Sequence, residues 1–357
     1  MRCTRPDQIA RPFAAGLVAA LALAASGCGA SAGTSSTTAP PSRSTTTSSS
    51  TTSSPSSTDT SSGTGTSASS GTSPTSSLPG TGKPVVTIGD KNYTEQFVLG
   101  QLYLQALQAQ GFTVNLNDNI GPTDVTLQAL KTGTLAMYPE YLNIFNNSIA
   151  GYRHSFRTSL AAYTAAEHYA LAHGLELLTP TPFSDTYAVA VTVAYAAANR
   201  LRTIGDLRRV QASLTVGGPP QFQQDAPGLP QLKRAYGVAP AGFKSLAVGD
   251  QYAALNAGTV QAADANTTDG ALASGDYMLL RDPRRVFGWG NVVPVISAKL
   301  LNTEGPAFAA TIERVDATLT TSTMRELNQA VDIANQSPAT VAKQFLQTHG
   351  LLTPQAA

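Results

Sequence analysis

Four histidines and two cysteines are the whole supply of imidazole and thiol ligands in this 357-residue chain. His154, His168, His173 and His349 contain no H-E-x-x-H pair, and His168 and His173 are not spaced to share a helical face. Cys3 and Cys28 both lie near the N-terminus, so the body that follows has neither a disulfide nor a cysteine zinc site. Gly29-Ala30-Ser31-Ala32-Gly33 fits the G-x-S-x-G pattern of serine hydrolases, but no strand precedes it and no helix follows. A phosphate loop, a dinucleotide fingerprint and a credible triad are all missing, so neither a cofactor nor an enzyme is expected. A net charge of +1 with 13% charged residues leaves no basic excess for a nucleic-acid partner. Binding chemistry remains. Lys91 and Gln96 flank a strand-to-helix turn, the C-terminal edge of a parallel sheet, where α/β proteins hold ligands.

The elements that must position such residues read as alternating strands and helices. Residues 85–89 form a β-rich run. Thr94-Glu95-Gln96 opens a helix carrying Phe97, Leu99, Leu102, Leu104 and Leu107, closed by Gly111. Residues 112–116 alternate as a strand, Pro122-Thr123-Asp124 starts a helix closed by Gly133, and 135–138 is a short buried strand with Tyr138 in the core. This order predicts right-handed β-α-β units on a parallel sheet. The rhythm returns as strands at 187–193, 214–218, 260–265 and 278–280 and helices at 204–207, 229–236 and 252–257, with a Gly-Gly-Pro-Pro turn at 217–220. After 291–296 come two long helices, 305–320 and 323–335, and a final one at 338–349. The folded stretch, from about Pro84 to Leu352, is long enough for two α/β lobes.

Residues 1–27 read as a lipoprotein signal peptide. Arg2, Arg5 and Arg11 precede a short apolar run from Phe13 to Ala25, too short for a comfortable membrane span. The run ends in Ala25-Ser26-Gly27-Cys28, small residues before a cysteine, although Ala25 stands where Leu is usual. Cleavage there makes Cys28 the lipidated residue and anchors the protein to the outer face of the cell membrane. Residues 28–83 read as a disordered tether of Ser and Thr with scattered Pro, too poor in apolar side chains to offset its ordering entropy. Such a coil of about fifty residues spans roughly 40 Å on average. Its composition is also that of O-glycosylated stalks.

Ile88-Gly89-Asp90-Lys91-Asn92-Tyr93-Thr94-Glu95-Gln96 resembles the opening of the substrate-binding proteins of osmoprotectant ABC importers. Further stretches match in order: 129–133 with 137–141, 179–187, Gly217-Gly218-Pro219-Pro220, 229–237, Thr267-Thr268-Asp269-Gly270 and 291–295. The family binds glycine betaine, carnitine, choline or proline betaine. The resemblance covers residues 85–352 and implies a two-lobed, periplasmic-binding-protein-like α/β fold of type II. Each lobe is a sheet flanked by helices, with two hinge crossings. Lobe one is then 84–186 plus 291–352 and lobe two 187–290. The implied function is extracytoplasmic: a lipid-anchored monomer captures a small quaternary-ammonium solute by hinge closure and delivers it to a permease.

A quaternary ammonium has no hydrogen to donate, so aromatic faces hold it, each worth about 0.5–2 kcal/mol. Carried over by position, the resemblance implies a cage of Tyr141 and Tyr187, with Asp185 contributing backbone and Lys91 a donor to a ligand carboxylate. Tyr93, Gln96, Asn266, Thr267, Trp289 and Asn291 complete the expected ligand-binding set. The departures point to selectivity. Asn266 replaces an aromatic, Trp289 stands near a usual Tyr, Ile144 replaces a Thr, and Phe222 and Gly228 replace the two cysteines of a subgroup. Asp225 occupies the place of a carboxylate-gripping Arg, which favours choline over glycine betaine, or a different solute such as a neutral polyol.

Overall fold

The computed structural model describes residues 77–224 and 227–353. The signal peptide, Cys28, almost all of the tether and Asp225 therefore lie outside the described residues. Residues 78–83, read from sequence as the end of the tether, form turns against the folded body: the Gly80 N–H donates to the Gln110 carbonyl at 2.9 Å.

The first sheet begins with β1 (Val86–Gly89), α1 (Thr94–Ala109), β2 (Val114–Asn117), α2 (Thr123–Lys131) and β3 (Met137–Tyr141). A short α3 (Leu142–Ile144) runs into a π-helical turn, Phe145–Ile149, followed by α4 (Ser159–Ala172) and β4 (Leu175–Leu177). The chain then crosses to the second sheet: β5 (Tyr187–Thr192), α5 (Val193–Asn199), β6 (Thr215–Gly218), α6 (Pro220–Gln224), α7 (Leu229–Tyr236), β7 (Gly242–Ser245), α8 (Gln251–Asn256), β8 (Ala262–Asn266) and β9 (Tyr277–Leu279). It returns as β10 (Val292–Ser297), followed by α9 (Ala298–Glu304), α10 (Pro306–Asp316), α11 (Thr321–Asp332) and α12 (Pro338–Thr348).

The strand orders are β2-β1-β3-β10-β4 and β7-β6-β8-β5-β9. The sheets are mixed, which corrects the all-parallel expectation. β1 is parallel to β2 and β3, and β6 to β7 and β8, whereas β10 and β5 run antiparallel to both neighbours. The two exceptions are the strands that arrive from the other sheet, and each takes the fourth place in its own. A segment entering from the opposite lobe starts at the cleft edge and so runs against strands that end there.

Burial explains the helix placement. Val98, Leu99, Leu102, Tyr103, Ala106 and Leu107 of α1 are solvent-free, and they meet Phe308, Ile312 and Val315 of α10 and Val341, Ala342 and Leu346 of α12 on one face of sheet one. Ala162, Ala166 and Ala170 of α4 cover the other face, beside the buried Tyr138. Sheet two is clothed likewise by Leu207, Leu232 and Tyr236 on one face and Ala254 and Leu255 on the other.

The crossings lie side by side. Ser184 bridges Asn291 antiparallel, and the Asp185 N–H donates to the Gly290 carbonyl at 2.9 Å. They approach so closely that a Cβ on Gly290 would stand 1.6 Å from the Asp185 carbonyl oxygen, leaving room for glycine alone.

Candidate functional site

Strand ends on both sheets deliver the candidate residues. Tyr93 follows β1 and leaves its ring part-exposed, at 38%. Tyr141 closes β3 beneath it, 3% exposed, with ring centroids 6.0 Å apart and planes tilted by 30°. The Tyr141 hydroxyl donates to Glu95 Oε1 at 2.7 Å. Asn328 of α11 gives one amide hydrogen to Glu95 Oε2 and the other to the Thr268 carbonyl, both at 2.9 Å. Across from Glu95, Asp269 accepts from the Tyr252 hydroxyl at 2.6 Å and from the Asn266 N–H at 2.9 Å.

These groups line a cavity of about 550 Å³ bounded by Tyr93, Glu95, Asp185, Tyr252, Asn266 and Asp269 among others. No Lys or Arg stands among its described lining residues. Burial pushes the Glu95, Asp185 and Asp269 carboxyls above the usual carboxylate range. Glu95 and Asp269 each add to the rise at Asp185, and hydrogen bonds from Thr268 oppose it at Glu95 and Asp185. These three carboxyls and two tyrosines around one cavity favour a cationic group there. Glu95 and Tyr252 were missed from sequence; Glu95 reads there as an ordinary first-turn acid of a helix.

The structure brings Tyr93, Asp185 and Asn266 into this cavity, with Tyr141 behind Tyr93. It gives other expected residues different surroundings. Lys91, expected as a carboxylate donor, is 3% exposed, ion-paired to Glu140 and bonded to Thr123 Oγ1 at 2.9 Å. Its ammonium is already neutralised within lobe one. Gln96 is fully buried and accepts from the Lys91 N–H at 3.3 Å, holding the turn. Thr267 donates to the Ser184 carbonyl at 2.7 Å and accepts from the Thr186 N–H at 3.0 Å. Asn291 donates to the Thr181 and Phe183 carbonyls at 3.0 and 3.1 Å and accepts from Ser159 at 2.9 Å. Both brace the crossings.

Tyr187 and Trp289 face a separate cavity of about 360 Å³. Tyr187 is 40% exposed, its ring 6.2 Å from Phe222 and 6.3 Å from Phe287. The Trp289 indole N–H donates to the Phe156 carbonyl at 3.0 Å, and the Arg285 guanidinium covers its ring at 3.9 Å. In this structure the Tyr141 ring lies against Tyr93, and Tyr187 lies against Phe222 and Phe287.

Residues 84–348 match the family described as the substrate binding domain of ABC-type glycine betaine transport systems. A glycine-betaine-binding protein of Pseudomonas aeruginosa is 30% identical over 278 residues, 74% of this chain and 88% of that protein. The glycine betaine-binding protein YehZ of Escherichia coli is 28% identical over 77% of this chain and 93% of its own length. The structure of apo YehZ superposes with a TM-score of 0.65 at 29% identity, over 74% of this chain and 99% of that one. A glycine betaine/carnitine/choline ABC transporter structure gives 0.70 at 24% identity, over 75% of this chain and 99% of that one, a likeness of fold. The two mixed sheets are those of a two-lobed binding protein, and the chain belongs to this family of ABC-transporter substrate-binding proteins, which are not enzymes.

Proposed function

We propose that the protein captures a small quaternary-ammonium solute, choline in preference to glycine betaine, in the acidic cavity and passes it to an ABC permease. The observation that carries this reading is the lining: Tyr93 and Tyr252 with four carboxyls, Glu95, Asp185, Asp269 and Asp332, and no basic residue among those described. A trimethylammonium gains from both the rings and the carboxylates. A ligand carboxylate in the same cavity meets like charge and finds no Arg or Lys donor. The names of the relatives, binders of glycine betaine and carnitine, support the ammonium end of this choice.

Cys28 carries a lipid that holds the domain outside the membrane on its Ser/Thr-rich segment. The sequence supports this through Arg2, Arg5, Arg11 and the small residues before Cys28. No helix among the described residues is long and apolar enough to cross a membrane. Lobe one is 84–186 with 291–352, lobe two is 187–290, and the domain acts as a monomer that closes about the crossings.

Calorimetric titration of choline and glycine betaine tests the reading. Choline is expected to bind more tightly, and Tyr93→Ala to weaken it roughly ten-fold, the loss of about 1–2 kcal/mol of cation–π attraction. Tight glycine betaine binding without choline binding refutes the selectivity. Unchanged choline affinity in both Tyr93→Ala and Glu95→Gln refutes the site.

A further inference from the structure

The end of sheet two remote from the crossings carries a basic hollow. β5 leaves the first crossing at Tyr187 and, at about 3.3 Å per residue, delivers Thr192 roughly 17 Å away. There an apolar wall that includes Val193, Ala197 and Met278 joins three arginines, Arg200, Arg202 and Arg209, around a space of about 760 Å³. Short contacts gather the arginines. Arg209 donates through one guanidinium nitrogen to the Arg200 carbonyl at 2.6 Å and through another to Asp206 Oδ1 at 2.8 Å. Asp206 Oδ2 accepts from the Arg202 N–H at 2.9 Å. Arg209 is thereby fixed beside both neighbours while its side chain stays 55% exposed. Arg200 and Arg202 are exposed, and neither side chain makes a hydrogen bond or an ion pair among the described residues. Arg200 closes α5 at φ +54°, a position where glycine is the favoured residue. The described lining holds no Asp or Glu. Asp206 is turned to Arg209, and Asp276, whose carbonyl accepts the Val193 N–H at 2.9 Å, lies outside it.

Three guanidinium groups around one hollow suit an oxyanion, phosphate above all. The wall selects what carries the phosphate. Val193 is 45% exposed and Ala197 is exposed, so a free phosphate leaves apolar surface in water, whereas a phosphate joined to an apolar body covers it. Charge is also divided between the lobes. Residues 187–290 carry ten Lys and Arg against seven Asp and Glu, whereas 84–186 with 291–352 carry eight against thirteen. An anionic surface therefore draws lobe two and repels lobe one. The chain that precedes the described body points the same way. Residues 28–76 lie between Cys28 and the fold, and read from sequence as a coil they span roughly 40 Å, so a lipid on Cys28 keeps this hollow close to a membrane. We infer that this pole of lobe two binds the headgroup of an anionic phospholipid. Arg200, Arg202 and Arg209 take the phosphate, and Val193 and Met278 meet the glycerol and the first acyl carbons. Nearness to a membrane rests on the lipid-anchor reading, and the binding chemistry does not.

The experiment is calorimetry on the full chain with dihexanoyl phosphatidylglycerol, a soluble anionic phospholipid, beside inorganic phosphate and the phosphate-free dihexanoylglycerol. The phospholipid is expected to bind, phosphate at least ten-fold more weakly, and dihexanoylglycerol not at all. Arg202→Gln and Arg200→Gly should each weaken phospholipid binding by about ten-fold at low salt, the loss of a charge-assisted contact. Arg200→Gly should also hold or raise the melting temperature, because glycine suits φ +54°, so binding lost in that variant is not lost to unfolding. Absence of phospholipid binding overturns the inference. So does binding that both arginine variants leave unchanged. Phosphate bound as tightly as the phospholipid overturns the lipid headgroup in favour of a free anion, and dihexanoylglycerol bound as tightly overturns the role of the arginines. Choline titrated in parallel reads the acidic cavity, and fractionation of Cys28→Ser reads the anchor, so a failure of either is separate from a failure here.

Discussion

Lys91→Met is the most informative single change, because two roles for Lys91 predict different outcomes. If the ammonium awaited a ligand carboxylate, removing it would lower affinity and leave the fold nearly untouched. The structure instead closes it against Glu140, whose side chain is 0% exposed, with Thr123 as its other partner at 2.9 Å and the Tyr141 ring 5.6 Å away. Deleting Lys91 leaves the Glu140 carboxylate buried without a counter-charge. Its Oε1 keeps the Tyr141 N–H at 2.7 Å, but its Oε2 has no hydrogen-bond partner. Breaking a buried pair from one side costs about 3–5 kcal/mol. At about 2–4 °C per kcal/mol for a domain of this size, the melting temperature should fall by roughly 6–20 °C. Glu140→Leu added to Lys91→Met removes the stranded charge and should restore most of the loss, since replacing both partners by apolar groups is often near neutral. Urea denaturation and thermal melts of the wild type, the single and the double variant measure this. A single variant within about 1 kcal/mol of wild type, or a double variant no better than the single, would refute a structural ion pair.

Three further outcomes are expected. Choline affinity should tighten as pH rises, because a bound cation favours the ionised forms of Glu95, Asp185 and Asp269, whose carboxyls burial pushes above the usual carboxylate range. Calorimetry in buffers of different ionisation enthalpy should show protons released on binding, and a flat profile counts against the carboxyl-lined site. Burial pushes the Asp316 carboxyl, bonded to the Tyr103 hydroxyl at 2.7 Å, up to about 8. Between its unfolded pKa of about 3.9 and that value the folded state holds a proton the unfolded state has lost, so stability falls as pH rises across the window. Asp316→Asn should flatten the decline in melting temperature from pH 5 to 8, and equal slopes for variant and wild type contradict it. Cys28→Ser should move the protein from the membrane fraction to the medium, and unaltered fractionation rules out the lipid anchor.

Much of the fold is legible where the chain carries its own punctuation. Gly111 and Gly237 stop helices that end within two residues of them, and the αβ alternation from Val86 to Tyr141 follows from apolar spacing alone. The misses have physical causes. α5, Val193–Asn199, follows β5 with no Gly or Pro between, and the boundary is a Thr192 side chain accepting from the Tyr195 N–H at 3.1 Å. Gly-Gly-Pro-Pro reads as a turn, yet Pro220 is the first residue of α6, where its missing N–H does no harm. Strand direction is invisible locally: Val292-Val293-Pro294-Val295 looks the same whether it runs with or against β3. Family motifs named Tyr93, Asp185 and Asn266, which line the acidic cavity, but not their partners. Glu95 and Asp269 become one electrostatic unit through folding, and neither Lys91's pairing nor the bracing work of Thr267 and Asn291 can be seen without the third dimension.

Asn328 links two events that otherwise have nothing in common. Its amide holds the Glu95 carboxyl of the cavity with one hydrogen and the Thr268 carbonyl at the end of β8 with the other. When Glu95 takes up a proton it becomes a poorer acceptor, and the amide loosens toward lobe one while its grip on lobe two is unchanged. A bound cation does the reverse, drawing the same hydrogen toward a full negative charge. The side chain thus ties the charge of the cavity to the contact between α11 and the second lobe. An Asn328→Leu protein would keep every ring and carboxyl of the cavity, and the seating of α11 on the second lobe would no longer register whether the cavity is filled.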